Sequence, residues 1–210
     1  KNELIFPYDI VYYSDNTKVT DNIQYNHLNN YSGLLFSKIV AEPKLHLKLN
    51  KNLNDSSGNY YNGTFEGTGN VNYVDGYANG IKSIEFNGTN DYVSIPNPVN
   101  LSLNGNLTLS VWFNSDKTSD WNDTLVSKGI YKEFDLMIFH NLNNTSESRF
   151  RFHQGNSTGN EYVHYDSIIQ ISNGIWHNVI VTREGSGTSW TIKFYLNGSL
   201  ITKKTSPDYT

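Results

Sequence analysis

Apolar and polar residues alternate with a period of two along much of the chain after Lys44. Leu107, Leu109, Val111 and Phe113 alternate with Thr108, Ser110 and Trp112, and Trp190, Ile192, Phe194 and Leu196 alternate with Thr191, Lys193 and Tyr195. That period puts one face of a strand in a core and the other in water, as in an antiparallel sheet. Around the second run, residues 175–199 predict two long strands and the start of a third. Trp176, Val179 and Val181 mark the first strand, and Glu184-Gly185-Ser186-Gly187 supplies residues that tolerate a chain reversal. Asn197-Gly198 is a strong signal for a tight hairpin turn into Leu200-Ile201-Thr202.

Weaker patterns fill in the rest. Leu45, Leu47 and Leu49 predict a strand, and Ile84 and Phe86 predict another that turns at Asn87-Gly88 and returns through Asp91–Ile95. Pro96 and Pro98 stop the return strand. Thr124–Ser127, Phe134–Phe139, Phe150 and Phe152 between arginines, and Ile168–Ile171 predict further strands. The stretches 50–63 and 67–80 read as turn-rich connections. Many short strands separated by turn chemistry predict an all-β sandwich rather than α/β units. Residues 1–43 differ in texture. Leu4-Ile5-Phe6, Ile10–Tyr13 and Tyr31–Val40 are candidate strands among polar, Asn-rich sequence. We read 1–43 as an N-terminal arm, a linker or the end of a preceding domain, and 44–210 as the sandwich.

Composition narrows the partners. Aromatic residues make up 14% of the chain, which suits pleated, half-buried surfaces. A net charge of −4 without a basic patch argues against nucleic acid, and no apolar run reaches the roughly 18 residues of a membrane span. With no cysteine there is no disulfide framework and no thiolate metal site. The chain does not begin with Met, so the simplest expectation is a segment of a longer polypeptide, with other domains of it or neighbouring subunits as partners. Its 30 asparagines generate ten Asn-X-Ser/Thr sequons, at Asn54, Asn62, Asn87, Asn100, Asn106, Asn122, Asn143, Asn144, Asn156 and Asn197. These are glycosylation candidates if the chain is exported through a glycosylating pathway.

The order of signals from Leu45 onward resembles the laminin-G-like, concanavalin A-like lectin family over most of the chain. The resemblance is carried by several stretches in sequence order: Asp55-Ser-Ser-Gly-Asn59, Gly76-Tyr-Ala-Asn-Gly80, Ile84-Glu-Phe-Asn-Gly-Thr-Asn-Asp-Tyr-Val93, Leu107–Phe113, Leu125-Val-Ser-Lys-Gly129, Trp176-His177 and Phe194-Tyr-Leu-Asn-Gly198. It implies a two-sheet antiparallel jelly-roll sandwich, here with an N-terminal extension. It also implies strands beyond the Asn197-Gly198 hairpin. The expectation is that these come from elsewhere in a parent polypeptide, from another chain or from the N-terminal arm. Many relatives hold one Ca²⁺ in rim loops through Asp or Asn side chains and carbonyls, so the resemblance makes Asp55, Asn59 and Asp91 metal candidates.

Catalysis has a thin case. Glycosidases on this architecture place two carboxylates on one strand in a Glu-X-Asp-X-Glu pattern. Glu133-Phe134-Asp135 starts that way, but Met137 stands where the second Glu belongs. His140, His153 and His164 show no metal spacing, and His177 reads as framework. Sugar recognition needs an aromatic face beside amides and carboxylates. Trp121 between Asp120, Asn122 and Asp123 has that composition, with Tyr131 as a further ligand-binding candidate and Tyr60, Tyr61 and Tyr73 as secondary ones. The expected function is a non-catalytic module binding a glycan or glycoprotein, on a protein displayed outside the cell, on its surface or on a virion. The alternative is a structural or assembly domain of a filament, appendage or virion. A glycoside hydrolase is the distant third reading.

Overall fold

The computed structural model describes residues 10–13, 43–96, 101, 105–115, 123–129, 133–140, 148–155, 162–169, 174–186 and 189–205. Strands make up most of these residues, and turns and loops join them. The strands are β1 (Ile10–Tyr13), β2 (Leu45–Leu47), β3 (Thr64–Glu66), β4 (Asn72–Asp75), β5 (Lys82–Glu85), β6 (Tyr92–Ser94) and β7 (Leu107–Phe113). They continue as β8 (Asp123–Lys128), β9 (Phe134–His140), β10 (Ser148–Gly155), β11 (Tyr162–Ile169), β12 (His177–Ser186), β13 (Ser189–Leu196) and β14 (Ser199–Lys204).

Two antiparallel sheets form a jelly-roll sandwich. One has six strands in the order β14-β13-β12-β7-β1-β2, and the other has four in the order β11-β10-β9-β8. Small two-stranded sheets, β3-β6 and β4-β5, complete the arrangement. Alternation decides which residues face inward. Leu109 and Val111 pair with Val181 and Val179 of β12, and these pair with Phe194 and Leu196 of β13. From the other sheet Leu136, Ile138, Phe150 and Phe152 come in with no measurable exposure. Phe113 and Phe150 meet edge to face across the core at 6.0 Å, a geometry that matches ring edge to ring face.

The turn after β13 follows the sequence expectation. Asn197 and Gly198 both adopt positive φ, 49° and 82°, as a type I′ turn requires. Asn197 also ties the turn to β12, its main-chain N–H donating to the Asn178 carbonyl at 2.8 Å. Gly185, at φ 134°, lies so close to the Ser189 carbonyl that a Cβ has no room there.

Several expectations are corrected. Ile84 and Phe86 do not begin a hairpin at Asn87-Gly88. β5 pairs with β4 and β6 pairs with β3, so the turn joins two separate small sheets. Asn87 builds that turn instead, its Oδ1 accepting the main-chain N–H groups of Thr89, Asn90 and Asp91. The stretch 67–80 is not only a connection, since it contains β4, whose polar composition hides it. Leu49 is not a strand residue, because its φ of 53° turns the chain out of β2. β11 begins at Tyr162, well before Ile168, and holds the buried polar residues His164, Asp166 and Ser167.

The segment before Lys44 contributes an inner strand. β1 pairs with β2 through Val11 and His46, and with β7 through Val11 and Ser110. Leu4–Phe6 and Tyr31–Val40 lie outside the described residues. Among the described residues no helix is long and apolar enough to cross a membrane.

Candidate functional site

Three places gather chemically interesting side chains: the loop between β2 and β3, the turn before β6, and the outward face of the four-stranded sheet.

The β2–β3 loop is tied around Asp55. Its Oδ1 accepts the N–H groups of His46 and Ser57, both at 2.9 Å. Its Oδ2 accepts the Ser57 hydroxyl at 2.7 Å and the Tyr61 N–H at 3.0 Å. The Asp55 N–H in turn donates to Asn62 Oδ1 at 2.9 Å. Burial pushes the Asp55 pKa upward, but the hydrogen bonds from Ser57, His46 and Tyr61 outweigh it and hold the group below the ordinary carboxylate range. Asn59 secures the far side, donating to the Lys44 carbonyl at 3.1 Å.

This arrangement bears on the calcium candidates. With four donors on Asp55, both oxygens are already saturated. Asp91 belongs to the turn before β6, where Oδ1 accepts Asn87 Nδ2 at 3.0 Å and Oδ2 accepts the Asn87 N–H at 3.2 Å. Among the described residues no three His, Asp or Glu side chains gather as metal ligands. Asp55 and Asp91 thus serve as turn-builders, with their carboxylate oxygens engaged by these donors.

The outward face of the four-stranded sheet carries a cross-strand polar row. Register sets Ser127 opposite Asp135, Asp135 opposite His153, and His153 opposite His164. Although they point away from the core, Asp135, His153 and His164 are 1%, 4% and 4% exposed. Ser127 donates its hydroxyl to Asp135 Oδ1. The His153 and His164 rings meet edge to face at 5.9 Å. Burial is the main force on His153. It lowers the pKa to about 4, with Arg151 and His164 adding to the effect and Asp135 and Asp166 opposing it. The next row is an ion pair. Arg151 grips both oxygens of Asp166 at 2.8 Å, Arg149 reaches it at 3.3 Å, and the Arg151 guanidinium lies 4.1 Å from the Phe139 ring centre. Burial pushes Asp166 upward, yet its guanidinium hydrogen bonds leave it below the usual range.

Chemically, this row is a run of buried polar contacts. The Ser127 hydroxyl meets the carboxylate rather than an imidazole, so nothing here activates it as a nucleophile. Glu133 is held by Lys128 Nζ at 2.8 Å, and Lys128 also donates to the Leu101 carbonyl at 2.6 Å. Asp135 is buried beside Ser127, and the residue two further along β9 is Met137, so β9 does not carry the two-glutamate glycosidase pattern.

Of the ligand-binding candidates, Asp123 opens β8 opposite Ile138, while Trp121, Asn122 and Tyr131 lie outside the described residues. So do the sequons Asn100, Asn122, Asn143, Asn144 and Asn156. Among the other sequons, Asn62, Asn87, Asn106 and Asn197 each accept a main-chain N–H, whereas the Asn54 side chain is exposed. His177 is framework, with its ring 5.8 Å from that of Phe113 and Nδ1 3.3 Å from the Asn197 amide. The polar row of β9–β11 was missed because each strand alone shows only an isolated His or Asp. The row exists only once register lines the strands up.

The fold is that of a lectin-type β-sandwich. The chain belongs to the concanavalin A-like lectin/glucanases superfamily: a laminin-G family model of that superfamily matches residues 87–210. No curated protein and no solved structure matches the chain.

Proposed function

We propose that this chain is a non-catalytic module that binds a glycan or glycoprotein, carried by an exported or surface-displayed protein. The superfamily joins sugar binders and glucanases, so the state of the β9 carboxylates favours one branch over the other. Glu133 is paired with Lys128 and Asp135 is buried against Ser127, so these two β9 carboxylates are not poised as acid and nucleophile for glycosidic cleavage. That observation carries the reading. An array of glycans probed with and without EDTA tests it. Binding to a defined sugar is the expected result, and no signal in either condition overturns it.

A second reading, an assembly domain of a filament, appendage or virion, draws on one observation. β14 is the last strand of the six-stranded sheet, and its Leu200 and Ile201 are 54% and 37% exposed. An apolar sheet edge invites another strand. Concentration-dependent oligomerisation abolished by Ile201→Lys is the outcome that favours it over sugar binding.

A further inference from the structure

The β2–β3 loop presents a residue that its own packing does not call for. Tyr60 is 82% exposed, and its φ is 62°, in the left-handed region where bulky side chains are strained. The residues that take this region with least strain stand just before it: Gly58 adopts φ 90°, and Asn59 follows. The chain nevertheless puts a tyrosine at the strained position. Tyr61, the next residue, turns the other way and packs against the core while its N–H is held by Asp55. The loop around Asp55 is therefore well tied on both sides of Tyr60, yet the Tyr60 ring itself stands in water. Strain that persists where packing gains nothing from it marks a position kept for contact with something else.

We propose that Tyr60 is an aromatic platform for a pyranose ring, resting on the glycan-binding reading and assigning its contact site. An exposed tyrosine ring offers a flat apolar face to the C–H groups of a sugar, and a rigid loop holds that face without an ordering cost on binding. A polar residue precedes Tyr60 in the chain. Asn59 spends its Nδ2 on the Lys44 carbonyl and the Ser57 hydroxyl, and among the described residues no donor reaches its Oδ1. That oxygen accepts a sugar hydroxyl. The loop lies before the span 87–210 that the family model matches. The ligand class is a neutral pyranose oligosaccharide, because the Asp55 carboxylate of this loop is already taken up by four donors and the platform recognises shape and C–H faces.

The test uses the full chain against immobilised oligomers of glucose, galactose, mannose and N-acetylglucosamine. Tyr60→Ala lowers binding at least tenfold, while Tyr60→Trp retains it. Tyr60→Asn, which tolerates the left-handed backbone, also lowers binding at least tenfold but leaves Tm equal or higher. Unchanged binding by Tyr60→Ala overturns the platform and leaves the glycan-binding reading standing. A clear drop in Tm for Tyr60→Asn shows a structural role and overturns the platform too. No binding by the unaltered chain overturns both.

Discussion

Asn178 and Asn197 hold each other through two hydrogen bonds in opposite directions. The Asn178 N–H donates to Asn197 Oδ1 at 2.9 Å, and the Asn197 N–H donates to the Asn178 carbonyl at 2.8 Å. The β13–β14 turn is thereby fastened to the start of β12, and Asn178 itself is buried, with its amide on Ser110 and the Val111 carbonyl. A turn that looks local in sequence is part of the sheet's framework.

Substitution at Asn197 separates its two contributions. Tyr- or Leu-like side chains are ill suited to φ 49°, but glycine is not. Asn197→Gly loses only the side-chain hydrogen bonds and costs about 1 kcal/mol. Asn197→Ala loses them and adds backbone strain, for a total of about 2 kcal/mol. Urea unfolding of the three proteins gives the order wild type, Gly, Ala. A more stable Ala than Gly variant contradicts the account.

Asp55→Ala destabilises the chain by about 3 kcal/mol, since it strands four donors at once. Because those donors already saturate the carboxylate, the loss measured by thermal unfolding is the same in millimolar calcium as in EDTA. A stabilisation by calcium that vanishes in Asp55→Ala reinstates this residue as a metal ligand.

His153 makes the sandwich sensitive to mild acid. Its folded pKa of about 4 lies below the ordinary 6.5, so the unfolded chain binds the proton first. Stability is therefore full above pH 6.5 and declines as the pH falls towards 4, by about 3 kcal/mol. His153→Gln flattens that part of the Tm-against-pH curve. Asp55 and Asp166, both held low, add a further loss only as the pH falls through the carboxylate range.

Glu133→Gln and Asp135→Asn leave polysaccharide cleavage where the wild type has it, at background in a reducing-end assay. Hydrolysis by the wild type that either substitution abolishes overturns the non-catalytic reading. Asp135→Asn also keeps a partner for the Ser127 hydroxyl, so its effect on Tm is small beside that of Asp135→Leu.

Strands with one apolar and one polar face were legible from residue order alone. Leu107–Phe113 and Trp190–Leu196 carry enough alternation to fix which side is buried, and Asn197-Gly198 names its own turn, because both signals arise from neighbours in the chain. The order of motifs was likewise enough to point to the lectin-type family. β4 and the first half of β11 were not legible, since Asn72, Asp75, His164 and Asp166 look like loop residues until partners across the sheet satisfy them. The same holds for the exit of Asn87-Gly88 into a different sheet, for β1 between β2 and β7, and for the row Ser127–Asp135–His153–His164.

Local alternation and turn chemistry thus settled that this is a two-faced β protein and where its clearest strands run. Which strands become neighbours, which main-chain donors Asp55 accepts, and that Tyr60 rather than Tyr61 faces solvent were decided only by tertiary structure. Pairing and burial depend on residues far apart in the chain, and no local pattern encodes them.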